Sequence, residues 1–350
     1  MKEQFFSFEE ALLRLCDSTM SLSHLELYAL SGPSRAEAAL FGERWAKVPV
    51  EHRRRVIQIL VENAEANFEM DFNLLFRACL YDEDAEVRCR AIEGLWECDE
   101  ATLVDPLVRM LRHDPATQVR AAAALALSRF ALQAELEELD ERRGKAVIDA
   151  LWEAIHDAGE DIDVRRRAIE AISYVSLEEM REIIEGAYND DDKRMRVSAV
   201  FAMGRSCDTS WNDTVLDELS ASEPEMRYEA ARAAGELRIR RAVPTLINLL
   251  DDVDREVQEA AIWALGQIGG PQARRVLEGC LQSDDEVLQE AAEDALAELT
   301  LGSVPLPLFS YEVQGEEGEH SEDDEELEDD EEAEDWDEPD YDEDEEEDWA

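Results

Sequence analysis

The chain has 350 residues, with 34 Lys and Arg against 88 Asp and Glu, for a formal charge of −54. So acidic a chain repels nucleic-acid phosphates and anionic lipid at long range, which excludes nucleic acid and membrane as partners and favours a basic protein or peptide. The six cysteines include no CxxC pair, the amino terminus MKEQFFSFEEALL lacks an apolar leader core, and no apolar run approaches a membrane span, so a reduced, cytoplasmic, monomeric protein is expected.

Residues 1–33 are read as capping helices, opened by a capping box from Ser7 to Glu10. A second box, Ser34 to Glu37, starts a helix over Ser34–Lys47, and a partner helix is expected over His52–Leu60 after the turn at Pro49. From there a motif D-x-x-V-R-x-x-A recurs. Its apolar anchors are Val87, Val119, Val164, Met195, Met226, Val257 and Val287, spaced by 32, 45, 31, 31, 31 and 30 residues. Alanine stands four positions after every anchor, at Ala91, Ala123, Ala168, Ala199, Ala230, Ala261 and Ala291. Residues four apart share one helix face, and alanine lets that face approach a neighbour closely. Gly204, Gly235 and Gly266 extend the same logic nine positions after their anchors. Asp84, Asp161, Asp192, Glu223, Asp254 and Asp284 precede the anchors by three and suit the free N–H groups of a first helical turn. Arg88, Arg120, Arg165, Arg196 and Arg227 follow them by one and are placed to reach acids of the adjacent repeat.

A second helical pattern precedes each anchor, for example at Asn67–Leu80, Thr102–Arg112, Arg143–His156, Leu177–Tyr188 and Ala242–Leu250. Each unit is thus a helix A, an acidic turn and a helix B. One such pair cannot bury its apolar face alone, whereas stacking neighbours builds a continuous core. The 45-residue spacing adds an insertion near residues 132–143.

Segments such as DDVDREVQEAAIWALGQIGG (251–270) and DEDAEVRCRAIEGLW (82–96) resemble short HEAT-like repeats of the phycobilisome-lyase type. The resemblance covers residues 34–300 and implies an all-α, right-handed α-solenoid of about eight helix pairs. Such repeats serve many unrelated roles, so function has to be argued from sites.

No catalytic, cofactor-binding or metal-binding residue is expected. The histidines His24, His52, His113, His156 and His320 are far apart, and HExxH, G-x-S-x-G, GxxxxGK[ST] and GxGxxG are all absent. Deoxyhypusine hydroxylase, an enzyme built on similar repeats, holds a di-iron centre through paired His-Glu dipeptides, and this sequence contains no His-Glu dipeptide. The expected function is therefore a non-catalytic scaffold or adaptor that binds a partner protein on its concave face. The alternatives are a phycobilin-lyase-like component acting on a partner protein, or an enzyme of unrecognised type.

Helices B of such solenoids line the concave side. Positions two, six and ten after the anchors form one stripe, which in the middle repeats includes Arg166, Tyr174, Phe201, Arg205, Tyr228, Arg232, Trp263 and Gln267. Arginine and large aromatics dominate binding hot spots, so these residues are the expected partner-binding set. Residues 301–311 read as a linker. Residues 312–350, with 26 acids and no Lys or Arg, read as a disordered tail in which Trp336, Tyr341 and Trp349 are candidate interaction residues, acting on partner binding or solubility.

Overall fold

The computed structural model describes residues 6–19, 22–283 and 285–301. The linker and tail expected beyond residue 301, with Trp336, Tyr341, Trp349 and His320, and the capping acid Asp284, lie outside the described residues. The described residues form one compact unit.

The fold is a right-handed α-solenoid. Its helices are α1 (Phe8–Leu15), α2 (His24–Leu30), α3 (Arg35–Trp45), α4 (Val50–Ala66), α5 (Asn73–Cys79), α6 (Ala85–Gly94), α7 (Val104–His113), α8 (Thr117–Ala126), α9 (Ser128–Glu135), α10 (Glu141–His156) and α11 (Ile162–Ile172). They continue as α12 (Met180–Tyr188), α13 (Lys193–Arg205), α14 (Asn212–Glu218), α15 (Pro224–Glu236), α16 (Val243–Leu249), α17 (Arg255–Ile268), α18 (Pro271–Cys280) and α19 (Glu286–Leu301). Helices B stack in order, with α4 on α6, α6 on α8, α8 on α11, α11 on α13, α13 on α15, α15 on α17 and α17 on α19. Among the described residues there is no strand, and no helix is long and apolar enough to cross a membrane.

Local chemistry sets the boundaries. Ser7 and Ser34 close reciprocal capping boxes with Glu10 and Glu37. The carboxylates of Asp84, Asp161, Asp192 and Asp254 accept first-turn N–H groups of α6, α11, α13 and α17. Glu223 makes no such cap. Its helix opens with Pro224, and its carboxylate accepts from Lys193 Nζ at 2.9 Å instead. The helix expected over Asn67–Leu80 begins only at Asn73, because α4 runs on to Ala66 and Asn67 is its cap. The insertion expected near residues 132–143 spans the end of α9, a turn over residues 136–140 and the start of α10, and α9 packs against α8, α10 and α11.

The anchors and alanines form the seam. Val87, Val119, Val164 and Val257 are fully buried, as are Ala91, Ala123, Ala168, Ala199, Ala230 and Ala261. Val287 departs from this and is 43% exposed, since no later repeat covers α19 among the described residues. Glycines nine after the anchors set the spacing of helices B. A Cβ on Gly204 would stand 2.8 Å from the Ala233 Cα, and one on Gly235 2.9 Å from the Ala264 Cα. The arginines one after the anchors clasp the turns. Arg88, Arg120, Arg196 and Arg227 each donate to a carbonyl six residues back, at 2.8 to 2.9 Å. Three of them also pair with an acid further along the array: Arg88 with Asp114, Arg120 with Glu160 and Arg227 with Asp252.

Candidate functional site

The middle repeats bring most of the expected stripe into one connected cluster on the helix B face. The guanidinium of Arg205, at the end of α13, lies 5.3 Å from the ring centroids of both Tyr174 and Phe201. Its Nη2 pairs with Glu236 of α15 at 3.0 Å. Arg232, one turn before Glu236, reaches the same carboxylate at 3.9 Å and lies 3.8 Å over the Trp263 ring of α17. Tyr228 and Phe201 complete a cavity of about 90 Å³ between α13 and α15, lined also by Arg205, Glu229, Arg232, Ala233 and Glu236.

Arg166 and Gln267 sit apart from that cavity. Arg166 is bound within α11, to Asp163 at 2.7 Å and to Glu170 at 3.5 Å. Gln267 donates to Glu298 of α19. Thus none of the three stripe arginines is a bare surface charge, since each already meets an acid of the array.

Acids that the stripe analysis passed over decide the electrostatics. Glu170 is buried at 5% exposure and accepts from Arg167 Nη1 at 2.5 Å and from the Ser198 hydroxyl. Burial pushes the Glu236 carboxyl up, and the guanidiniums of Arg205 and Arg232 pull it partly back. Glu229, half-buried between α13 and α15, makes no hydrogen bond or ion pair among the described residues. Burial first, then the nearby charges of Glu170 and Glu236, push its carboxyl up to about 7 against the pull of Arg232 and Arg205. Glu170 and Glu236 were findable, because they occupy the same positions six and ten after the anchors as the chosen residues. Glu229 stands three after its anchor, a position that holds Arg90, Ala122, Arg167, Ser198, Ala260 and Glu290 in the other repeats, so nothing in the repeat pattern marked it.

A carboxyl titrating near neutrality beside two guanidiniums can carry a proton to and from a bound group. The guanidiniums can cover negative charge that develops on an oxygen of that group. A volume of about 90 Å³ admits the end of one side chain, a few waters' worth of space.

The HEAT-repeat family pattern matches residues 73–158 and 212–297. A deoxyhypusine hydroxylase of Arabidopsis thaliana is 26% identical over 248 residues, which span 69% of this chain and 73% of the relative. One of Eremothecium gossypii is 26% identical over 199 residues, spanning 51% of this chain and 62% of the relative, so the chain covers less than two thirds of that protein. Among solved structures, the phycocyanin lyase complex from Nostoc covers 85% of this chain and 97% of its own, at 15% identity and a TM-score of 0.43. Human deoxyhypusine hydroxylase in complex with glycerol covers 76% and 96%, at 18% identity and a TM-score of 0.35.

These relatives correct one expectation. The chain was expected to be a non-catalytic scaffold and not an enzyme, and that reading is overturned by sequence relatives that are named as enzymes across most of its length. The expected likeness to HEAT repeats is met by the family pattern over residues 73–158 and 212–297, and the all-helical fold stands. A di-iron centre does not fit the residues present. Among the described residues no group of three or more His, Cys, Asp or Glu is arranged to hold a metal ion. The histidines are dispersed along the array. Buried His52 meets the Leu15 carbonyl through Nε2 at 2.7 Å, and His156 stacks on Trp152 with ring centroids 4.3 Å apart. No step is therefore derived through iron.

Proposed function

We propose that this HEAT-repeat chain is an enzyme that acts on a side chain of a basic partner protein at the cavity between α13 and α15. In this reading Glu229 is the proton carrier, and Arg205 and Arg232 are the cationic cover for an oxyanion. The observation that carries the reading is Glu229 itself, a carboxyl without a hydrogen-bond or ion-pair partner among the described residues, in a small cavity lined also by two guanidiniums, Glu236 and the Tyr228 side chain. The relatives support it by being enzymes named for a modified residue, deoxyhypusine. The chain's overall negative charge supports a basic partner, because it raises the local concentration of cationic segments.

The arrangement suits reactions in which a carbonyl oxygen gains negative charge while a proton moves, as in hydrolysis or acyl transfer at a side-chain amide. Tyr174, Phe201 and Trp263 hold the guanidiniums by their ring faces, which fixes their direction before substrate arrives.

Basic peptides carrying acetyl-lysine or glutamine, incubated with the protein between pH 5 and 9, test the reading by mass spectrometry. The expected result is a product mass whose rate follows a titration near pH 7 and which is lost in Glu229→Gln. Absence of any product with both peptide classes, while infrared difference spectra show Glu229 fully ionised at pH 5, overturns it.

A further inference from the structure

The middle repeats fill the space between neighbouring helices B with arginines and aromatic rings, and an earlier pair of helices does not. In α15, positions two and three after the anchor carry Tyr228 and Glu229, whereas in α8 they are Ala121 and Ala122. The small side chains leave an open groove of about 540 Å³ between α6 and α8. Ile92, Ala122 and Ala126 line it. Its two largest apolar side chains stand open to solvent, Trp96 at 53% and Leu125 at 42% exposure. Leu132 and Leu136, seven and eleven residues after Leu125, are exposed as well. The cap residue Leu127 separates α8 from α9. Those offsets keep to one helix face, so the apolar strip runs on along α8 and α9 for about 16 Å.

Large apolar side chains exposed together mark a surface that a partner covers. Charge selects among the possible occupants. Glu65 lines the groove, and Glu97, Glu137 and Glu138 flank Trp96 and Leu136 in the chain. All four are exposed carboxylates without an ion pair among the described residues. Glu93 is neutralised by Arg90 at 2.7 Å. Arg129, the cation among the lining residues, donates from Nη1 to the Trp96 carbonyl at 2.8 Å, and its Nε and Nη2 are buried. That guanidinium braces the Trp96 wall and offers nothing to a ligand, so the acid around the groove is uncompensated. Residues 312–350, with 26 acids and no Lys or Arg, are repelled from it, and so is a second copy of a chain with charge −54. A segment with Lys or Arg beside apolar residues is attracted. Backbone chemistry narrows the choice further. An extended segment on an apolar strip leaves N–H and C=O groups unpaired on the buried side, whereas a helix pairs its own.

We propose that the groove between α6 and α8 is a docking site for a basic amphipathic helix of a partner protein. The helix lies along α8 and α9 with its apolar stripe on Trp96 and Leu125, and its Lys and Arg side chains face Glu65, Glu97, Glu137 and Glu138. One large apolar residue of the helix enters the space over Ala122 and Ala126. The volume of 540 Å³ lies within the usual range of sites that enclose a ligand. The groove shares no lining residue with the Glu229 cavity. The proposal has in common with the catalytic reading the sign of the partner's charge and nothing else, so it stands if Glu229 carries no proton.

The test is fluorescence anisotropy with the full chain at physiological salt. The probes are a labelled Leu/Lys peptide with leucines at i, i+3, i+4 and i+7, a scrambled peptide of the same composition, and a Leu/Glu peptide in the first pattern. Scrambling keeps the charge, so general attraction to an acidic protein binds both Leu/Lys peptides equally. The expected results are about tenfold or weaker binding of the scrambled peptide and no binding of the Leu/Glu peptide. Trp96→Ser and Leu125→Asp alter exposed side chains and leave the core in place. Each is expected to weaken the Leu/Lys peptide about tenfold. Leu125→Asp adds negative charge, so general attraction would strengthen binding, and the sign of the change separates the two causes. Leu13→Asp, at an exposed position on α1, should leave binding unchanged. Circular dichroism checks that each variant keeps its helices. Equal binding of the two Leu/Lys peptides, or unchanged binding in both groove variants, overturns the site. Loss of binding in Glu229→Gln places the peptide at the Glu229 cavity and also overturns it. A photo-crosslinking side chain at position 125 identifies the occupant. Cross-links to the Leu/Lys peptide support the proposal, and cross-links to residues 302–350 or to a second copy in its place overturn the choice of partner.

Discussion

Arg88 grips Asp114 of the next repeat with two nitrogens, Nη2 at 2.7 Å and Nε at 2.8 Å, while its Nη1 donates to the carbonyls of Asp82 and Glu83. One side chain therefore ties an acidic turn to the turn of its successor. The same device recurs at Arg227 and Asp252, 2.7 and 2.8 Å apart. It explains why the sequence keeps arginine beside so many anchors in a chain this rich in acid. Arg88, Arg120 and Arg227 each neutralise one turn carboxylate and satisfy a turn carbonyl that no helix can reach.

Arg88→Ala should destabilise the array by about 3–5 kcal/mol, because it leaves the nearly buried Asp114 carboxylate without its cation. Replacing both partners by apolar residues, Arg88→Met with Asp114→Leu, should recover most of that loss. Urea unfolding of the two variants beside the parent gives the comparison. Equal loss in both would mean that the turn carbonyls, not the carboxylate, dominate the clasp.

Two glycines should respond to alanine in opposite directions. In α15, a Cβ on Gly235 would meet the Trp263 ring at 2.6 Å and the Ala264 Cα at 2.9 Å, so backbone has to move. Gly235→Ala is expected to cost about 1–3 kcal/mol. In α12, nothing lies within 4 Å of a Cβ on Gly186. Gly186→Ala is expected to stabilise by about 0.5–1 kcal/mol through helix propensity alone. Thermal unfolding of both variants, followed by circular dichroism, reads the two signs.

The repeat was legible because every unit solves the same packing problem with the same residues at the same phase. Val164 with Ala168, and Val257 with Ala261, can be aligned by eye and are buried identically. The cluster was only half legible. Arg205 and Tyr174 fell on one stripe by four-residue spacing, but Glu236 lay on the same stripe and was passed over, since one acid among 88 carries little information. Glu229 lies off the stripe, and its half-burial comes from α13 across the groove, which no local pattern encodes. Trp96 sits in a turn that has no periodicity, so its exposure beside the alanines of α8 could only be seen in three dimensions.

Arg232 should hold down the carboxyls around it. Its guanidinium opposes the upward shift of both Glu229 and Glu236, and it spans α15 and α17 through Glu236 and the Trp263 ring. Arg232→Gln is expected to move the Glu229 titration above 7 and to cost about 1–2 kcal/mol as the contact with the Trp263 ring is lost. The pH dependence of unfolding reads the first effect, and the urea midpoint reads the second.

Glu229 should also set how stability varies with pH near neutrality. The groups facing it are Glu170 from α11, Arg205 from α13, and Arg232 and Glu236 from its own helix. In the unfolded chain a glutamate titrates at its ordinary value of 4.5, whereas in the folded chain Glu229 titrates at about 7. Between those values the folded state binds the proton more tightly, so stability falls as pH rises from 4.5 to 7 and then levels off. Asp84 and Asp252 act in the opposite sense. Their carboxyls are held low chiefly by Arg54 and Arg227, so their contribution is complete above the ordinary aspartate range and is lost as the pH falls below it. Stability should therefore peak near the ordinary glutamate range and decline on both sides. Glu229→Gln removes the Glu229 part of the upper decline and leaves the part due to Glu236, whose carboxyl burial also pushes up. At pH 8 it should be more stable than the parent by about 2–3 kcal/mol, and at pH 4 the two should match, because a protonated glutamate and a glutamine carry the same charge. Urea midpoints of parent and variant at pH 4, 6 and 8 decide the point. A constant difference at all three would place the Glu229 titration at its ordinary value and remove the basis for its role as proton carrier.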